Sequence, residues 1–141
     1  MGRIVAIDYG QKRTGLAVTD ELKIIATGLT TVKTSDLLDF LQDYVLKNTV
    51  ECFVVGEPKQ MNNTASGSAM FIEPFVGKLR KVFPSIPVHR MDERFTSKMA
   101  TWTIREAGLK KKDRQDKTLV DTVSATIILQ SYMEMVSYGS R

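Results

Sequence analysis

At 141 residues the chain is the size of one domain, and with 43% hydrophobic residues it can bury a core without covalent staples. A single cysteine, Cys52, excludes an internal disulfide. The opening MGRIVAID lacks the apolar region of a signal peptide, and no run approaches the roughly 18 apolar residues of a membrane span, so the chain reads as cytoplasmic, with no membrane partner. Lys plus Arg number 20 and Asp plus Glu 16, a net charge of +4 that permits a polyanionic partner without demanding one.

No repeat, low-complexity tract or Pro/Gly-rich linker divides the sequence, so residues 1–141 read as a single domain. Ile4 to Ile7 is a short β-branched run that predicts a buried strand. The polar loop Gly10 to Thr14 follows, then strands at Leu16 to Val18 and Ile24 to Val32, whose short connections favour antiparallel pairing. Ser35 is placed to cap a helix reaching about Asn48, with Leu37, Leu38, Leu41, Tyr44 and Val45 on its apolar face. Cys52 to Val55 predicts a fourth strand. After the polar loop Gln60 to Ser68 comes a second helix with Phe71, Phe75, Leu79 and Val82 on one face, and Pro74 within it suggests a late start or a kink. Ile86 to Met91 reads as a fifth strand. A third helix runs from Thr96 to Gly108, and a last one from about Leu119 to Val136 with a stripe at Val120, Val123, Ile127, Ile128 and Met135.

The order β-β-β-α-β-α-β-α-α implies right-handed parallel crossovers in its second half, hence an α/β fold with a five-stranded mixed sheet in spatial order 3-2-1-4-5, flanked by helices. In such sheets sites form beyond the carboxyl ends of the parallel strands where the strand order reverses, here between the first and fourth strands.

The carboxylates fall at that edge. Asp8 ends the first strand, Glu57 the fourth, Asp92 and Glu93 the fifth, and Asp121 is expected in the first turn of the last helix. Each alone is as readily a turn, loop or helix-terminus residue. Together they predict a site, because converging carboxylates repel one another unless a cation joins them, and oxygen donors select Mg²⁺ or Mn²⁺. Glu57 is expected to face this site; the alternative is that Pro58 turns it to solvent. His89 and Cys52 make no zinc pattern. His89 reads as a strand residue, and Met99 and Trp102 as core rather than a stacking platform.

Cationic residues gather near the acidic ones. Lys12 and Arg13 sit in the loop between Gly10 and Gly15, whose glycines would let backbone approach a phosphate. Residues 110–117 hold five cations (Lys110, Lys111, Lys112, Arg114, Lys117) against two carboxylates, which could equally be a solvated loop. The spacing after Gly15 is not that of a Walker A loop.

The blocks Asp8-Tyr9-Gly10-x-x-Arg13-Thr14-Gly15, Val55-Gly56-x-Pro58, Asp92-Glu93-Arg94-Phe95-Thr96 and Lys117-x-x-Val120-Asp121 together resemble the YqgF/RuvX family, from Met1 to about Tyr132. The resemblance implies an RNase H-like fold and a nuclease of pre-16S ribosomal RNA 5′ ends, in a family also described as candidate Holliday junction resolvases. It carries the acidic site over to Asp8, Glu93 and Asp121. The sequence departs from the family pattern at Glu57, where an apolar residue is more usual, and at Met61 to Thr64, usually richer in glycine.

The reaction this implies is phosphodiester hydrolysis with a pair of divalent ions that Asp8 would bridge and Glu93 and Asp121 would flank, Glu57 adding a ligand or holding a metal-bound water. Lys12, Arg13, Arg94, Lys98 and the cations of 110–117 would hold the phosphate backbone of structured or precursor ribosomal RNA, or of branched DNA. A resolvase would need two sites in a two-fold dimer. The apolar faces predict a monomer or a weak homodimer, with Tyr132, Met133 and Met135 spreading beyond one stripe of the last helix. Two further alternatives are a phosphate-loop ATPase, which in related folds takes two such domains, and a non-catalytic binding module, which would gain nothing from clustered carboxylates.

Overall fold

The computed structural model describes residues 2–57, 69–92 and 117–139, with side chains over 2–57, 71–92 and 122–136. Strands β1 (Arg3–Asp8), β2 (Arg13–Thr19) and β3 (Ala26–Lys33) open the chain, followed by helix α1 (Leu37–Lys47), β4 (Val50–Glu57), α2 (Ala69–Val82), β5 (Val88–Asp92) and α3 (Lys117–Gly139). The sheet has five strands in the order β3-β2-β1-β4-β5, as the element order predicts. β1–β2 and β2–β3 pair antiparallel, and β1–β4 and β4–β5 pair parallel. The helix expected over Thr96 to Gly108 and the loop Gln60 to Ser68 lie outside the described residues. Among the described residues no helix is long and apolar enough to cross a membrane.

Element boundaries differ from the sequence expectation where side chains or prolines claim the backbone. β3 starts at Ala26 rather than Ile24, because the amides of Ile24 and Ile25 both donate to Asp20 Oδ1 at 2.8 Å. Those bonds, with Ile25 foremost, hold the Asp20 carboxyl below its ordinary pKa. Ser35 does not cap α1. It lies in a 3₁₀ turn, Thr34–Asp36, and Asp36 stands at the N-cap without a side-chain bond. β5 starts at Val88, since Ile86 closes a turn onto Phe83 O and Pro87 has no amide to donate. Pro74 neither delays nor ends α2; it sits inside the helix.

The sheet is covered on both faces, by different means. On one face Val5, Ile7, Leu16, Val18, Phe53 and Val55 pack with Leu37 and Leu41 of α1 and Ile72, Phe75, Val76 and Leu79 of α2. On the other, Ile4, Ala6, Ala17, Cys52, Val54 and Met91 pack with Ala125, Ile128 and Leu129 of α3. Among the described residues the first face meets α1 and α2, and on the second Ala6 and Ala17 let α3 lie close.

α3 crosses diagonally. Toward its start it touches β3, where a Cβ on Gly28 would lie 3.3 Å from Thr122 Cβ and 3.4 Å from Thr126 Oγ1. Toward its end Tyr132 hydrogen-bonds Cys52 of β4 and stacks on His89 of β5 at 5.8 Å. Burial raises the pKa of both Cys52 and Tyr132, keeping the thiol protonated and inert. The buried face of α3 differs from the expected stripe. Ile128 is buried, but Val123 and Ile127 are only half-buried and Met135 is 49% exposed, while Ala125, Thr126 and Ser131 are buried. The helix is apolar on most sides, so periodicity does not mark its contact face, and close approach selects small residues instead. Thr126 is tolerated there because its hydroxyl donates to Thr122 O at 2.7 Å.

The close contact at Gly28 gives a direct test. Gly28→Val should force α3 away from β3 and lower stability by about 1–3 kcal/mol. Chemical denaturation against the unaltered protein measures it, and an unchanged midpoint would contradict the tight packing.

Candidate active site

Asp8, Glu57 and Asp92 end β1, β4 and β5, so the parallel strands do place carboxylates on one edge. Their faces differ. Successive side chains alternate along a strand. Ile4 and Ala6 lie against α3 and Val5 and Ile7 against α1 and α2, so half-buried Asp8, the next in the even series, belongs to the α3 face. Asp121 lies on the helix that covers that face, in its second turn rather than its first because α3 begins at Lys117. Its value as a helix-terminus anion is therefore reduced. The side chains of Asp121 and Lys117, and residues Glu93, Arg94, Lys98, Lys110, Lys111, Lys112 and Arg114, lie outside the described residues. Among the described residues no group of three or more His, Cys, Asp or Glu could hold a metal. Asp8 offers the hard oxygen donor that Mg²⁺ or Mn²⁺ prefers, and it is the described residue that fits such an ion.

Glu57 takes neither expected orientation. Ile7 pairs with Val55 in the parallel register, which places Val55 and Glu57 on the face opposite Asp8. There the Glu57 carboxylate lies 3.4 Å from Arg90 Nη2, and Arg90 Nη1 reaches Glu73 of α2 at 2.9 Å. Arg90 and Glu57 are each 21% exposed, Glu73 61%. Arg90 Nε and Nη2 are buried without a hydrogen bond, so Glu57 is the partly desolvated countercharge that keeps this guanidinium tolerable. Sequence reading missed Arg90. Its signal was alternation: Arg90 and Asp92 share a face of β5, and Arg90 pairs with Val55.

The β1–β2 loop beside Asp8 is clamped from β3. Thr34 Oγ1 donates to Gly10 O at 2.6 Å and lies 2.9 Å from Thr14 Oγ1, while the Thr34 amide donates to Lys12 O at 3.0 Å. Gly10 is required for space: a Cβ there would overlap the Arg13 carbonyl oxygen. Gly15 is not a loop residue; it lies in β2 opposite Asp8. Lys12 is exposed on this braced loop, and Arg13, expected in the loop, is exposed at the first position of β2, opposite Lys33.

The topology defines an α/β fold built on a mixed five-stranded sheet, and solved structures share it. The fold is similar to that of "T. thermophilus RuvC in complex with Holliday junction substrate" (TM-score 0.63, 17% identity, 99% of this chain and 97% of that one). It is also similar to the "Thermus thermophilus RuvC structure" (TM-score 0.55, 17% identity, 94% and 96%). At that identity the likeness is one of fold. The sequence is 63% identical over 134 residues to a Bacteroides thetaiotaomicron protein named "Putative pre-16S rRNA nuclease", covering 95% of this chain and 97% of that one. Relatives of the same name are 63% identical in Porphyromonas gingivalis (95% and 97%) and 58% identical in Flavobacterium johnsoniae (94% and 96%). Residues 2–135 match the RuvX family, described as "Holliday junction resolvase", and the chain belongs to that family.

The geometry assigns Glu57 to stability. Glu57→Gln should lower unfolding free energy by about 1–3 kcal/mol, the cost of weakening a charged partner at a buried group. Denaturant titration reads this, and a variant as stable as the original would remove the countercharge role.

Proposed function

We propose that this protein is a divalent-metal-dependent nuclease that hydrolyses phosphodiester bonds, and that its substrate is precursor 16S ribosomal RNA, trimmed at the 5′ end in the cytoplasm. The observation that carries the reading is Asp8: an oxygen donor at the end of the central strand, on the face covered by the helix bearing Asp121, beside an exposed cationic loop. Family membership and the names of close relatives support the same chemistry.

In this reading Asp8, Glu93 and Asp121 hold Mg²⁺ or Mn²⁺, and Glu57 stays with Arg90. When bound, such ions supply a nucleophilic water and neutralise charge on the phosphoryl oxygens. The protein's own part is positioning. Lys12 and Arg13 attract the phosphate backbone without reading sequence. Thr34 holds their loop against β3, so the strand is presented to Asp8 without reordering the loop on binding. Arg94, Lys98, Lys110, Lys111, Lys112, Arg114 and Lys117 extend the cationic track. A monomer suffices for trimming one strand.

The family's description favours a second reading, resolution of four-way DNA junctions, which requires two sites in a stable two-fold dimer. Purified protein with Mg²⁺ should cut a precursor 16S fragment, lose that activity in excess chelator and regain it with Mn²⁺. Asp8→Asn should reduce cleavage to background with no loss of thermal stability. Cleavage persisting in that variant or in chelator would end the metal mechanism. A stable dimer by solution mass that cuts junctions symmetrically and leaves the RNA intact would establish the resolvase instead.

A further inference from the structure

α2 carries two stripes. Ile72, Val76 and Leu79 are buried against the sheet. The other stripe, Phe71, Pro74 and Lys78, is exposed, with Phe71 open to 47% although sequence periodicity assigned it to the buried face. This second stripe borders a cleft of about 350 Å³ between α1 and α2, whose other walls include Tyr9, Thr34 and Leu38. Tyr9 stacks on Phe75 with ring centroids 4.6 Å apart and planes 22° apart, so one wall is a fixed pair of rings. Thr34 belongs both to this cleft and to the clamp on Gly10.

The cleft adjoins the candidate active site through the chain itself. Asp8 and Tyr9 are consecutive, with Cα atoms about 3.8 Å apart. Asp8 belongs to the α3 face, whereas Tyr9 packs into the α1/α2 core. A strand laid over the sheet edge at Asp8 therefore has an aromatic recess directly across that edge. Its volume is that of a small-ligand cleft. Flat rings with a cation at one side, Lys78, match a planar base joined to a phosphate; an aliphatic segment would gain nothing from the charge.

We propose that this cleft receives one unpaired base of the RNA, next to the phosphate cut at Asp8, stacked on the Phe71 and Tyr9 rings with Lys78 against the backbone; this rests on the nuclease reading above. A base inside a duplex is already stacked and cannot enter, so the cleft selects cuts where the strand is single.

The test pairs a protein change with a substrate change. RNA spanning the precursor cleavage site is made with a single abasic position, or a single 2-aminopurine, walked across the nucleotides flanking the cut. Phe71→Ala should raise KM roughly 5- to 100-fold, the range for loss of base stacking, with kcat little changed, and Phe71→Trp should restore it. At one position the abasic RNA should cost the unaltered protein a similar factor and cost Phe71→Ala nothing more. In chelator, 2-aminopurine at that position should be quenched on binding by the unaltered protein and not by Phe71→Ala. Quenching without any cleavage would keep the cleft and refute the nuclease. Cleavage with equal KM in Phe71→Ala, no quenching, or abasic and Phe71 penalties that simply multiply would overturn the cleft alone. A matching thermal melt for Phe71→Ala keeps misfolding from imitating the result.

Discussion

β1 is the constraint on which the rest of the molecule depends. Val5, Ala6 and Ile7 are fully buried between helices on both faces, and β1 is hydrogen-bonded on both sides, antiparallel to β2 and parallel to β4. A slip of one residue would exchange the faces of every side chain, setting Val5 and Ile7 against α3 and Ala6 beneath α1 and α2. That exchange would bring the branched chains of Val5 and Ile7 to the side where Ala6 now lets α3 lie close. The face on which Asp8 emerges is thus decided by core packing several residues away.

The same alternation separates carboxylates that look equivalent in sequence. Asp8 and Glu57 end adjacent parallel strands, yet strand parity sends them to opposite faces. A negative group on the α1/α2 face meets Arg90, and neutralising that guanidinium relieves two costs of desolvation at once. A negative group on the α3 face has the acid-bearing helix over it. Glu57 is accommodated by Arg90, which also pairs with Glu73.

Thr34 links the sheet to the cationic loop. Its hydroxyl and amide bond three alternate residues, Gly10, Lys12 and Thr14. A short loop with an exposed lysine would ordinarily lose entropy on gripping a polyanion, and bracing reduces that loss beforehand. The cleft beside Tyr9 shares this brace, because Thr34 also lines it.

How much of this was legible depends on whether a signal is local. Strand order and pairing followed from the β-branched runs at Ile4 to Ile7 and Cys52 to Val55 and from short early loops, since burial and chain reach leave few topologies. Strand ends put Asp8, Glu57 and Asp92 on one edge, because an apolar run must stop where a carboxylate begins. The start of β3 and the face of α3 were not legible: Asp20 claims the amides of Ile24 and Ile25 within its own turn, and Gly28 meets Thr122 on a second element. The fate of Glu57 was hidden for the same reason: its residue type allowed a ligand, and only the parallel register of β4 and β5 brought Arg90 to it. Sequence alone determined which side chains reach the edge of the sheet; tertiary structure decided which face each one takes, because side-chain alternation becomes an orientation only once the two sides of the sheet are packed differently.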